Sequence, residues 1–140
     1  MAAELGLAAA LVFASTLVQA AFIGAVFHAL TRAQAWLARA PRSLSAALAL
    51  GLAALWMMAA HGVAIGLWAA AFHGLGVFPD LDTSVYFSAV AFTTLGFGDV
   101  IPPPEWRQLA GLCAANGLLA FGVSAAVLVE VLREARGGPR

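Results

Sequence analysis

Lysine is missing from this chain: all seven basic residues are Arg, seven acids balance them, and charged residues fill only 10% of 140 positions. A formal charge of zero leaves no basic stripe for nucleic acid, so that class of partner is excluded. Cysteine occurs once, at Cys113 inside an apolar run. No disulfide can therefore form within the chain, and the residue reads as small packing material. No internal repeat recurs at a useful period, and no run carries Arg at every third position. Hydrophobic residues take up the space instead, at 63% of the chain with a mean hydropathy of +0.93, far above the level usual in soluble domains. The composition is that of a membrane protein.

Three uncharged apolar stretches, roughly Leu5 to Leu30, Leu44 to Phe72 and Leu109 to Val129, each reach the length of about 20 residues that a helix needs to cross a bilayer. The first has no positive leading segment and is too long for the apolar core of a signal peptide, so it reads as a retained helix. Between the second and third lies His73 to Arg107, where Gly74, Gly76, Pro79, Asp80 and Asp82 precede an apolar patch and Gly96, Gly98 and Pro102 to Pro104 follow it. That patch, Thr83 to Thr94, is about 12 residues, the length of a helix that enters the membrane and turns back, with Asp82, Thr83 or Ser84 placed to cap its start.

Arg32, Arg39 and Arg42 cluster after the first stretch, and Arg133, Arg136 and Arg140 follow the third, so both clusters should be cytoplasmic. Two helices separate them, which agrees. The N-terminus and the re-entrant segment then face outside, with Asp80, Asp82, Asp99 and Glu105 toward the outer solution. The expected fold is an all-α integral membrane protein: three transmembrane helices plus a re-entrant helix and loop, multi-pass in the cell membrane, its C-terminus cytoplasmic.

Chemistry concentrates in Tyr86-Phe-Ser-Ala-Val-Ala-Phe-Thr-Thr-Leu-Gly-Phe-Gly-Asp99, where a short apolar segment ends in two threonines and glycines then alternate with bulky residues. Gly96 and Gly98 can take backbone angles closed to other residues, so successive carbonyls can face one side while Leu95 and Phe97 pack on the other. Bare carbonyls at membrane depth are tolerated only when buried in protein or lining an aqueous path. The segment therefore needs a pore or a partner, and a cation supplies what the oxygens lack.

At these residues the chain resembles the potassium channel family, whose filter has the form Thr-Val-Gly-Tyr-Gly-Asp and stands here as Thr94-Leu95-Gly96-Phe97-Gly98-Asp99. Within it the likeness is to small bacterial proteins with one pore loop and an extra leading helix. The resemblance implies a homotetrameric pore in which each chain joins three identical subunits in the bilayer. It implies a filter of Thr94, Leu95, Gly96, Phe97 and Gly98, with K+ held by the Thr94 hydroxyl and the carbonyls of Thr94, Leu95, Gly96 and Phe97. Asp99 and Glu105 stand at the outer mouth. The inner helix is expected to line a cavity and hinge near Gly117, with Leu118, Phe121 and Ala125 toward the pore. No cofactor is implied beyond permeant K+, and no enzyme activity. Residues 1–43 then form an extra helix with a cytoplasmic Arg-containing loop and 44–133 the pore domain: outer helix about 44–72, pore helix about 82–94, filter 94–99 and inner helix about 106–132. Residues 134–140 form a short tail. Three departures stand out: Phe97 for Tyr, Leu95 for Val, and Val90 where some bacterial channels place a Glu that pairs with the filter Asp.

Other functions compete with this one. The alternatives are a non-selective cation channel or a non-conducting modulatory subunit. Gly96-Phe-Gly-Asp99 also matches the Gly-x-Gly-Asp motif of intramembrane aspartyl proteases, but those need a second intramembrane aspartate, and only Asp80 and Asp82 in the outer loop remain. Of the three histidines, only His61 lies deep in a span, where a bond to a neighbouring helix is the ordinary outcome. Asn116 either faces the cavity or bonds a neighbouring helix.

Overall fold

The computed structural model describes residues 2–37 and 41–136. Arg39 and Arg140, members of the two arginine clusters, lie outside the described residues, as does the side chain of Arg42. Four helices account for most of the rest: α1 Ala2–Leu37, α2 Arg42–Gly74, α3 Leu81–Phe92 and α4 Arg107–Ala135, with one 3-10 turn, Pro104–Trp106, leading into α4. No strand occurs among the described residues. Glu4–Ala33, Ser43–Gly74 and Pro104–Ala135 are each long and apolar enough to cross a membrane. Alanine and leucine, the strongest helix formers, dominate all three. At 36 residues α1 extends about 54 Å, against a hydrocarbon core of about 30 Å, so it tilts or projects at one end.

The leading helix packs against both α2 and α4. Two apolar clusters hold the bundle. One joins Ala8 of α1, Trp68 and Phe72 of α2, Phe87 and Phe92 of α3, and Leu109 and Cys113 of α4. The other joins Val26 and Leu30 of α1, Ala53 and Met57 of α2, and Val127 and Val131 of α4. Because the start of α1 shares the first cluster with α3, the N-terminus and the loop after α3 lie at the same end of the bundle. Buried Ser15, Gln19, His61, Asn116 and Ser124 occupy the levels between the clusters.

The short helix α3 starts one residue after a cap the sequence misplaced. Asp80, not Asp82, Thr83 or Ser84, is the N-cap: its carboxylate accepts from Thr83 N at 2.7 Å and from Thr83 Oγ1 at 3.0 Å. Its far end is also earlier than expected, at Phe92 rather than Thr94, because Thr94 takes a left-handed backbone (φ 58°) that stops the helix. Phe92 is fully buried, and its carbonyl lies against Gly117, about 15 Å along α4 from that helix's start. The chain thus descends beside α4 through α3 and climbs back to Pro104 within a dozen residues, the path of a re-entrant hairpin.

Candidate functional site

The descent of α3 and the return loop meet at residues 93–99. Helix α3 ends with its carbonyls accounted for: Ala89 O accepts from Thr93 N at 3.0 Å and Thr93 Oγ1 at 2.7 Å, Ala91 O from Thr94 N at 2.9 Å, and Val90 O from Leu95 N at 3.0 Å and Gly96 N at 3.4 Å. The negative end of the helix macrodipole therefore points at the segment that follows, where a cation is favoured.

Beyond that end, positive φ recurs at alternate residues: Thr94 at 58°, Gly96 at 60° and Gly98 at 77°, with Leu95 and Phe97 between them outside that region. A backbone of alternating handedness is able to turn successive carbonyls to one side. Glycine takes the left-handed region without penalty, whereas Thr94 holds it at a cost of about 1 kcal/mol or more, a strained position of the kind found at functional sites. Leu95 and Phe97 are 55% and 67% exposed, and Val85 and Ile101 are exposed as well.

Asp99 closes the segment. Its Oδ2 accepts a hydrogen bond from Tyr86 Oη at 2.6 Å, so the outer end of the loop is tied back to α3. That bond holds the carboxyl below the usual carboxylate range. Tyr86 is the site residue that sequence reasoning missed. The signal lies in the chain's single Tyr, 13 residues before Asp99, and not at Val90, where a Glu is absent. Glu105 is exposed in the 3-10 turn that leads into α4.

On α4 the structure divides the expected set. Leu118 and Ala125 lie on the exposed face, together with Gly111, Ala115, Gly122 and Val129. Phe121 does not: its ring stands 4.2 Å from the His61 ring and 6.2 Å from that of Phe92, turned into the bundle toward α2 and α3. It is large and apolar, and the gap beside His61 is where it buries. At Gly117 a Cβ would stand 1.8 Å from the Phe92 carbonyl oxygen, so the position admits the close approach of α3, and α4 runs unbroken through it. Asn116 bonds a neighbouring helix, donating to Ser15 Oγ of α1 at 2.7 Å. His61 Nε2 pairs with Ser124 Oγ at 3.0 Å.

Among the described residues no group of His, Cys, Asp or Glu is arranged to hold a metal ion by side chains. Comparison with curated proteins and with solved structures gave no match. A family model described as ion channel matches residues 58–134, just over half of the chain, from the middle of α2 through α3 and the 94–99 loop to the end of α4. That match, which covers the whole re-entrant hairpin between two helices long and apolar enough to span a membrane, makes this chain a member of the ion channel family.

Proposed function

We propose that the protein is one subunit of a homotetrameric potassium-selective channel of the cell membrane, its N-terminus outside and C-terminus cytoplasmic. The observation that carries this reading is the alternation of left-handed backbone at Thr94, Gly96 and Gly98. Carbonyls of Thr94, Leu95, Gly96 and Phe97, with the Thr94 hydroxyl, replace the hydration shell of a bare K+ as it passes. Fourfold repetition is required physically, because an isolated ion in a low-dielectric medium costs tens of kcal/mol and one strand offers only a few oxygens per site. The exposed Leu95 and Phe97 are the surfaces that neighbouring subunits cover. Leu118 and Ala125 line the inner cavity. Asp99 and Glu105 gather cations at the outer mouth.

Little favours an enzyme. Asp80, the nearest candidate for a second catalytic acid, is engaged at the start of α3, and its bonds from Thr83 hold it below the usual carboxylate range.

The test is ion flux through purified protein in liposomes, K+ against Na+, with a Gly96→Ala variant. At φ 60° a Cβ strains the backbone while meeting no neighbouring atom within 4 Å in the single chain, so the subunit should fold and the filter should fail. K+ flux that disappears in the variant supports the proposal. Equal K+ and Na+ flux replaces it with a non-selective cation channel, and no tetramer sinks it.

A further inference from the structure

The family match begins at residue 58 and leaves α1 outside it, yet α1 makes the most specific polar contacts in the bundle. Gln19 of α1 is buried, and its Nε2 donates both to the Ala120 carbonyl oxygen at 2.7 Å and to Ser124 Oγ at 3.1 Å, on successive turns of α4. One turn closer to the outer end, Asn116 of α4 donates to Ser15 of α1 at 2.7 Å. Ser124 is shared, because His61 of α2 bonds the same oxygen at 3.0 Å. These groups lie at membrane depth, where an amide without a partner is costly. Apolar contact alone would dock α1, as the clusters on either side do, so packing does not account for an amide that reaches a main-chain carbonyl of its neighbour.

The tie has a definite place. Ala120 and Ser124 are buried, and they fall between Leu118 and Ala125 on α4, the exposed residues read above as the cavity wall. Toward the cytoplasm from Ser124, α4 packs through apolar contacts at Val127 and Val131. A bond influences a conformational equilibrium only if it is made in one state and lost or weakened in the other. Polar bonds of fixed geometry meet that condition, whereas apolar contacts slide.

Resting on the channel reading above, we propose that Gln19 is a positioning residue for the inner helix: by pinning α4 at Ala120 and Ser124, the leading helix sets the balance between the open and closed pore. Gln19 touches no ion, so its removal alters how often the pore conducts and not what it conducts.

Single-channel recording of the full chain in planar bilayers, wild type against Gln19→Leu, Ser124→Ala and the double variant, tests this. Gln19→Leu should change the open-to-closed ratio by at least about threefold, the size expected for losing a hydrogen bond between helices in a membrane. Unitary conductance and K+/Na+ reversal potential should stay as in wild type. Ser124→Ala should shift the ratio in the same direction, and the double variant should shift it by less than the product of the single effects, since the Gln19–Ser124 bond is common to both. An unchanged ratio in an assembled Gln19→Leu protein overturns the proposal, as does a changed conductance or reversal potential. If Gln19→Leu fails to assemble, Ser124→Ala decides: no shift, or no assembly there either, leaves the tie purely structural and the proposal wrong. Absence of K+-selective current in wild-type protein sinks the channel reading instead, which keeps the two failures apart.

Discussion

Asp99 and Tyr86 show how a single bond can stand in for a missing residue. Without a Glu at position 90, the outer loop is tied by Tyr86 Oη, and the carboxylate is the form that accepts that bond. Because the bond lowers the pKa of Asp99, its contribution is complete above the ordinary carboxylate range and is lost as pH falls through the lowered value. Tyr86→Phe removes the donor and lets the pKa rise. The external pH at which K+ current falls by half should therefore move upward in the variant, and an unmoved midpoint would show that Asp99 protonation does not limit current. The left-handed backbone at Gly96 and Gly98 was legible from sequence because that conformation restricts residue choice so severely. Tyr86 was not, since its role depends on a distance between helix and loop that spacing alone does not give.

At the scale of elements, the contact of α3 with α4 decides how deep the re-entrant hairpin sits. Gly117 presents no side chain, and the last carbonyl of α3 fills that room. Gly117→Ala sets a methyl group 1.8 Å from a backbone oxygen, which only a shift of one helix relieves, so stability should fall by about 3 kcal/mol or more. Thermal unfolding of the detergent-solubilised protein measures this, and a midpoint equal to wild type would mean that the helices separate freely. Helix number and type were readable from hydropathy, and the re-entrant segment from its length. Boundaries were less so. Asp80 and Asp82 are equally good caps as residue types, and only Thr83, bonded to Asp80, distinguishes them. The facing of Phe121 was equally hidden, for one apolar residue on an apolar helix carries no mark of which side it takes.

For the whole molecule, four of the seven acids, Asp80, Asp82, Asp99 and Glu105, are exposed and lie in the segment between α2 and α4. In the proposed tetramer, four copies around one axis would make a negative field whose reach is about 10 Å in 0.1 M salt and about 30 Å in 0.01 M. Glu105→Gln should lower K+ current several-fold more in dilute salt than near 1 M, and an equal loss at both would assign Glu105 a structural part instead. Docking of α1 across α2 and α4 was the least legible feature of the molecule. Ser15 and Gln19 are isolated polar residues in a long apolar run, and nothing in the sequence pairs them with Asn116 and Ser124.

That pairing also bears on the order in which the chain is made. Ser15 and Asn116 are 101 residues apart, and Gln19 and Ser124 are 105 apart. At about 5–20 residues per second of synthesis, the first helix waits about 5–20 s before its polar partners exist. During that time the amide of Gln19 has no partner on α4 to bond. A ribosome stalled before Asn116 would leave both contacts unmade.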